Sequence, residues 1–204
     1  MQFELYIDSF LAYMQSGGFV MWPLFILAML LWYGLGFRFH TVNRGSKKSV
    51  RTLVRKYSEN KRQKVVGIID EAIVEGMKIV ANNANMKIAR KELDDSFYYY
   101  ETRVKSMERL VRTIVIVAPL IGLLGTVVGM IETFDSLASS ALFSQTGGIA
   151  GGISQALFTT QLGLVVAVPG LIIGRLLERH ASIIEFELEQ IKDILCSQGS
   201  SNAL

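Results

Sequence analysis

Two long apolar segments of this sequence contain polar side chains that could line an ion route through a membrane. The segments are LLGTVVGMIETF, residues 123–134, and GGISQALFTTQLGL, residues 151–164. Their polar candidates are Thr126, Glu132, Gln155, Thr159 and Thr160. Polar groups at membrane depth commonly mark ion routes, but a threonine can also return its hydroxyl to a carbonyl of its own helix. The residues alone leave both interpretations open.

Other kinds of chemistry find little support in the sequence. It contains no glycine-rich phosphate loop and no Ser/His/Asp pattern, which disfavours nucleotide hydrolysis and covalent catalysis. His40 and His180 are isolated from any Cys or carboxylate at ligand spacing, and Cys196 is the only cysteine. We therefore expect no enzyme, no metal site and no bound cofactor.

The elements that must position the polar candidates are membrane helices. Half of the 204 residues are apolar, only 19% are charged, and the mean hydropathy is positive. Three apolar segments, residues 18–37, 113–134 and 153–174, are each about the 20 residues that a helix needs to cross a bilayer. The sequence therefore predicts an all-α membrane protein with three transmembrane helices.

The basic residues predict how these helices are oriented. Of the 21 Lys and Arg, 18 lie between Arg38 and Arg112, and the other three follow the third apolar segment. Cytoplasmic flanks collect Lys and Arg, so we expect the N-terminus on the outer side of the membrane and the C-terminus on the cytoplasmic side. The predicted organisation is an outer-surface amphipathic helix (1–17), transmembrane helix 1 (18–37), a cytoplasmic helical domain (38–112), transmembrane helix 2 (113–134), a short periplasmic loop (135–152), transmembrane helix 3 (153–174), and a cytoplasmic C-terminal helix and tail (175–204).

A cluster of basic residues follows the first apolar segment. The cluster consists of Lys47, Lys48, Arg51, Arg55 and Lys56. Because it is predicted to lie beside the membrane, we expect it to contact anionic lipid headgroups. Nucleic acid is not expected as a partner.

Heptad spacing predicts long cytoplasmic extensions of the second and third membrane helices. An unbroken seam is predicted to enter the second membrane helix through Leu93, Phe97, Tyr100, Val104, Met107, Val111 and Ile114. A second seam continues outward from the third membrane helix through Ile184, Leu188, Ile191 and Leu195. Alternating spacings of four and three are typical of packed helices, so both extensions are predicted to be continuous stems.

Small residues form a stripe on each of the last two membrane helices. The first stripe is Ala118, Gly122, Thr126, Gly129 and Thr133, and the second is Gly152, Ala156, Thr160, Gly163, Ala167, Gly170 and Gly174. Such stripes let membrane helices approach closely and form interhelical hydrogen bonds. The predicted packing positions are Gly122, Gly125, Gly129, Ala156, Gly163 and Ala167.

The segments APLIGLLGTVVGMIETF and GGISQALFTTQLGLVVAVPGLI resemble the MotA/TolQ/ExbB proton-channel family, and the three membrane helices resemble its ExbB and TolQ branch. The resemblance implies a homopentameric ring whose second and third membrane helices line a pore. It also implies a single-span ExbD-like partner that carries an essential aspartate inside the pore, a TonB-like protein that receives the work, and the proton as coupling ion. Thr126 and Thr160 match the two pore threonines of the family. Gln155 stands where many members have a glutamate. Without that glutamate, Glu132, near the outer mouth, and the aspartate of the partner are the evident titratable groups on the outer half of the route.

Within this family, the sequence GGISQALFTTQLGL of the third helix favours an ExbB that energises TonB-dependent uptake across the outer membrane. A TolQ-like motor for envelope maintenance remains an alternative, as does a passive membrane scaffold in which the threonines only pack. A secondary transporter is disfavoured, because no inverted repeat is visible across three membrane helices.

Overall fold

The computed structural model describes residues 2–45, 48–59, 65, 67–83, 85–139 and 146–201. These residues form seven α-helices and no strand. The helices are α1 (Gln2–Ser16), α2 (Met21–Thr41), α3 (Val50–Ser58), α4 (Ile68–Asn82), α5 (Met86–Val104), α6 (Glu108–Ser139) and α7 (Thr146–Ser201). The chain divides into two compact units, of which the first is Met1–Leu35 with Arg109–Gly174 and the second is Gly36–Glu108 with Arg175–Leu204.

Three helices, α2, α6 and α7, are long and apolar enough to cross a membrane, which confirms the predicted number of membrane helices. The periplasmic loop predicted at 135–152 is too long, because α6 continues to Ser139 and α7 already begins at Thr146. Residues 140–145 lie outside the described residues. The ends of the apolar segments set the predicted bounds of the loop, but a helix can continue beyond an apolar segment where its residues pack. Gly148, for example, lies directly against Ser136 of α6.

In the first unit, α1 folds back on the membrane helices. Phe10 contacts Phe25 of α2 with 5.4 Å between ring centroids, and Tyr13 meets Phe158 of α7 edge-on at 5.2 Å. The turn between α1 and α2 needs Gly18, whose φ of 66° lies in the left-handed region that favours glycine. The N-terminal segment therefore forms the predicted helix, and aromatic contacts hold it. Its predicted apolar face includes Phe3, whose side chain lies outside the described residues.

One face of α2 packs within the first unit and the other face is exposed. Leu24 and Leu31 are buried, and Leu31 lies so close to Gly170 of α7 that a β-carbon on this glycine would meet it at 2.7 Å. The exposed face carries Trp22 and Trp32. Exposed tryptophans on an apolar helix are typical of a surface that faces lipid and its interface.

The second unit is a helical bundle with its own apolar core. The core residues are Val42 together with Val50, Leu53, Val54 and Tyr57 of α3, Ile68, Ile69, Ala72, Ile73 and Ile79 of α4, Leu93, Phe97, Tyr100 and Val104 of α5, and Ala181, Ile184, Leu188, Ile191 and Leu195 of α7. Gly76 permits the closest approach, since a β-carbon there would lie 2.5 Å from Leu195. The predicted outward seam of α7 is thus confirmed as core.

Sequence reasoning missed helix α3, although its buried residues recur at helical spacing. Arg51 and Arg55 are exposed on this helix, and Arg55 and Lys56 lie in its last turn. Lys47 of the same predicted lipid-binding cluster lies outside the described residues. The basic residues of this segment predict only a lipid-binding cluster, and the helix is apparent from the apolar residues between them.

The predicted unbroken stem into the second membrane helix is wrong. Helix α5 ends at Val104, and α6 begins only at Glu108. Met107 between them has a φ of 61°, an uncommon left-handed conformation for a residue other than glycine. Val104 and Val111 are buried on either side. The break keeps the phase of the apolar positions, so hydrophobic spacing could not reveal it.

Charged side chains also tie α7 to the rest of the second unit. Arg44 donates from Nε to Glu187 Oε2 at 2.6 Å and from Nη2 to the other carboxylate oxygen. This hydrogen bonding to Glu187 raises the pKa of the Arg44 guanidinium. Lys192 donates to Asp94 of α5 at 3.3 Å. The α7 extension is therefore fixed by charge pairs as well as by its apolar seam.

Candidate functional site

Helices α6 and α7 approach each other through small residues along an antiparallel contact. Gly163 lies so close to Ala118 that a β-carbon on the glycine would meet the alanine carbonyl oxygen at 2.9 Å. At the other end, a β-carbon on Gly129 would lie 2.5 Å from the carbonyl oxygen of Gly152. Because the nearest atoms belong to backbone, no side chain can move aside. In this structure the two helices therefore approach each other through small residues.

Most predicted packing positions lie in this contact. Gly122 faces the backbone of Thr159, Gly129 faces Ala156, and Ala156 and Ala167 are buried. A β-carbon on Gly125 would collide with the Thr159 side chain. Gly125 is therefore one of the small residues through which α6 contacts α7.

Thr159 and Thr160 are adjacent in sequence but lie in different surroundings. The Thr159 side chain is completely buried against Gly125, and its hydroxyl donates to carbonyls of its own helix, at 3.1 Å to Gln155 and 3.0 Å to Ala156. Thr160, by contrast, is a half-buried residue, and its hydroxyl also donates to its own helix. That hydroxyl lies 3.0 Å from the carbonyl of Ala156 and 3.4 Å from the carbonyl of Gly122 on the neighbouring helix. This placement favours packing for Thr159 and an accessible polar role for Thr160.

Thr126 is also half-buried. It lies one helical turn beyond Gly122, the residue whose carbonyl Thr160 approaches, and residues four apart share a helix face. Its hydroxyl donates to the carbonyl of Leu123 at 2.6 Å, so the return bond weighed from the sequence is present. The oxygen of that hydroxyl can still accept a further hydrogen bond. Thr126 and Thr160 are thus the two partly exposed threonines of the α6–α7 pair that the sequence singled out.

Glu132 and Gln155 form a direct contact that sequence reasoning did not predict. The Gln155 side-chain amide donates to Glu132 Oε1 at 3.0 Å, which links α7 to α6. Gln155 is 9% exposed, whereas Glu132 is exposed. Gly18 lies against the same amide, since a β-carbon on this glycine would meet Nε2 at 2.6 Å. The two residues were both placed near the outer face, but a register between helices cannot be obtained from one sequence.

The remaining candidates do not form a second site. No group of three or more His, Cys, Asp or Glu side chains that could hold a metal occurs among the residues the structure describes. Burial raises the pKa of the Cys196 thiol, so its nucleophilic thiolate form is disfavoured at neutral pH. His180 has Nδ1 2.8 Å from the Leu176 carbonyl of its own helix.

The three apolar helices and the polar hydroxyls between two of them define an all-helical, multi-pass membrane protein. A sequence model of the MotA/TolQ/ExbB proton channel family matches residues 64–190. The chain therefore belongs to the MotA/TolQ/ExbB proton channel family, a family of proton channels and transport energisers. The match includes α6 and the membrane part of α7, where the two accessible threonines lie.

Similar proteins support the ExbB branch. Biopolymer transport protein exbB1 of Vibrio cholerae is 29% identical to this chain over 195 residues, which cover 90% of this chain and 85% of the relative. An ExbB-like biopolymer transport protein of Synechocystis is 36% identical over 94 residues, 44% of this chain and 45% of that protein. ExbB-like 2 of Helicobacter pylori is 44% identical over 75 residues, which cover 37% of this chain and 49% of that protein. This chain thus spans less than half the length of the latter two relatives. Together with the apolar helices, these relatives support a multi-pass protein of the inner membrane that belongs to the ExbB branch.

Proposed function

We propose that this chain is the ExbB-like stator subunit of a proton-driven motor. Five copies form a ring in which α6 and α7 surround a central pore, with the N-terminus in the periplasm and the C-terminus in the cytoplasm. A single-span ExbD-like partner occupies the pore, and the proton is the coupling ion. The motor energises uptake across the outer membrane through a TonB-like protein. Family membership and the ExbB names of its relatives support this proposal.

The observation that carries the proposal is the different exposure of the two neighbouring threonines. Thr159 is closed off between α6 and α7, while Thr160 is a partly exposed residue whose hydroxyl also lies 3.4 Å from a carbonyl of the other helix. A scaffold needs only the first kind of residue, because close packing requires no accessible polar group. An accessible hydroxyl in an apolar segment instead suits a partner or a water-filled interior.

The chain needs a second polypeptide to carry the proton. Residues 113–131 and 153–174 contain no Asp or Glu, so no carboxylate of this chain lies at mid-membrane depth. A threonine hydroxyl can donate to an ionised carboxylate and accept from a protonated one. Thr126 and Thr160 would therefore lower the cost of holding the partner's carboxylate inside the membrane in both protonation states. The chain alone is expected not to conduct protons efficiently.

The test replaces one hydroxyl at a time without changing side-chain shape. Thr160→Val removes the accessible hydroxyl, and Thr159→Val, its matched control, removes the closed one. Loss of a hydrogen bond to a charged group costs about 1.5–3 kcal/mol, so Thr160→Val is expected to lower proton-driven uptake roughly tenfold or more. Thr159→Val is expected to retain uptake, because its hydroxyl serves only its own helix.

Two measurements complete this experiment. Uptake is measured in a deletion strain complemented by each variant, and the native mass of the complex purified with its single-span partner reports assembly. A ring of five copies that loses uptake only with Thr160→Val supports the motor. Equal uptake with both variants would support the scaffold, and a monomer or dimer would remove the central pore. Detergent sensitivity of the deletion strain together with normal uptake across the outer membrane would indicate a TolQ-like motor.

A further inference from the structure

The two side chains of the amide–carboxylate pair between α6 and α7 differ in their exposure to solvent. Gln155 is buried between the helices, and its amide donates to Glu132 Oε1 at 3.0 Å. Glu132 itself lies on the exposed side of α6. A carboxylate accepts about four hydrogen bonds, and the amide provides one of them. Among the described residues, the exposed position of Glu132 lets the same carboxylate also meet water or an incoming cation.

Packing confines the amide from its other side. Gly18, in the turn between α1 and α2, approaches Gln155 so closely that a β-carbon would lie 2.6 Å from Nε2 and 2.9 Å from the amide carbon. The amide therefore has little room to rotate away from Glu132. A buried side chain held by its neighbours can fix the direction of the exposed group that it binds.

The pair lies beyond both accessible threonines, toward the same ends of the two helices. Glu132 follows Thr126 by six residues, or about 9 Å along a helix, and Gln155 precedes Thr160 by five residues, or about 7.5 Å. Because α6 and α7 are antiparallel, both displacements point toward the connection between these helices. A charged group on an apolar helix is costly against lipid and commonly faces a water-filled cavity.

We propose that Gln155 is a positioning residue, which holds the Glu132 carboxylate as the outer proton acceptor on the route to the threonines. The carboxylate takes a proton from a hydronium ion, leaving water, and releases it to the carboxylate of the single-span partner further in. Gln155 exchanges no proton and acts only by orienting Glu132. This inference rests on the proposed proton-motor function.

Proton flux into proteoliposomes tests the pair, with the full chain co-purified with its single-span partner and a pH-sensitive dye inside. Gln155→Leu removes the donor, and Gln161→Leu makes the same chemical change at an exposed position of the same helix. Loss of a hydrogen bond to a carboxylate is expected to lower flux about tenfold, whereas Gln161→Leu leaves flux near the wild-type value. Glu132→Gln, an exposed change that does not disturb packing, is expected to reduce flux at least as strongly.

The decisive variant exchanges the two side chains. In the double variant Glu132→Gln/Gln155→Glu, an amide again faces a carboxylate across the same two helices, and flux is expected to recover several-fold above that of Glu132→Gln. Because many members of the family carry a glutamate at position 155, recovery is also expected from a carboxylate that acts there by itself. The double variant Glu132→Gln/Gln155→Leu therefore separates the two roles: a positioning role predicts no further loss of flux below that of Glu132→Gln, whereas a structural role predicts a further loss. Wild-type flux in Gln155→Leu, or an exchange variant no better than Glu132→Gln, would overturn the proposal. Absence of flux in the wild-type complex would refute the motor itself, and that control separates the two failures.

Discussion

Substitution of Gly152 by alanine tests the close approach of α6 and α7. A β-carbon at this position would lie 2.5 Å from the carbonyl oxygen of Gly129 and 2.9 Å from the backbone nitrogen of Thr133, and it would also press on the Thr133 hydroxyl. That hydroxyl donates to the Gly129 carbonyl at 2.8 Å. The neighbouring Gly151 is the matched control, because a β-carbon there would have no atom within 4 Å.

The expected magnitude follows from these distances. To bring the contact from 2.5 Å to the 3.4 Å at which ordinary van der Waals contact begins, the helices must separate by about 0.9 Å. Overpacking of this kind costs about 1–3 kcal/mol, while replacement of glycine by alanine within a helix contributes up to about 1 kcal/mol of stability. Gly151→Ala is therefore expected to stabilise the protein slightly, and Gly152→Ala is expected to be about 1–3 kcal/mol less stable than Gly151→Ala.

Thermal unfolding in detergent, followed by circular dichroism, measures this difference. For a chain of this size, 1 kcal/mol corresponds to a shift of about 2–4 °C in Tm, so the two variants should differ by several degrees. Native mass measured in parallel shows whether either variant changes assembly. Equal Tm values for the two variants at unchanged mass would refute the close helix contact, and with it the packing role of the small-residue stripe.

Two further predictions concern the second unit. Leu188→Ala removes a completely buried core side chain and is expected to lower the free energy of unfolding by about 2–5 kcal/mol. Phe186→Ala, at a site 67% exposed on the same helix, should lower it much less in the same unfolding assay. Similar losses for the two variants would contradict the assignment of Leu188 to the core. Burial raises the pKa of Cys196 above its ordinary value of 9.0, so folding favours the protonated thiol and this contribution to stability is lost as pH rises above 9. The alkylation rate of the folded protein by iodoacetamide should therefore keep rising beyond the pH at which the urea-unfolded protein levels off, and identical profiles would argue against this burial.

The helix pattern could be predicted wherever packing follows simple periodicity. The spacing of Leu188 and Ile191 marked them as core, and the structure buries both. Periodicity failed where the backbone changes course without changing the phase of the apolar positions, as at Met107. At α3 the periodicity is present, since the buried Val50, Leu53, Val54 and Tyr57 recur at helical spacing, but the prediction for this segment rested on its basic residues.

The candidate site was predictable as a set of residues but not as an arrangement. Thr126 and Thr160 stood out as hydroxyls in apolar segments, and both are half-buried in the structure. Their proposed pore role stays a prediction. The sequence grouped Thr159 with Thr160, whereas the structure closes Thr159 against Gly125. Neighbouring residues on a helix point about 100° apart, so which of two adjacent threonines stays accessible depends on the position of the next helix.

The sequence by itself determined that this is a helical protein with three apolar segments of membrane length, because hydropathy and the distribution of charge are properties of composition along the chain. It also determined which small residues could allow close helix contact. Only the tertiary structure decided that Gly129 meets Gly152 and that the Gln155 amide meets the Glu132 carboxylate. These contacts depend on the relative rotation and register of two helices. Interlocking backbone and side-chain shapes set that register, and no pattern within either helix encodes it.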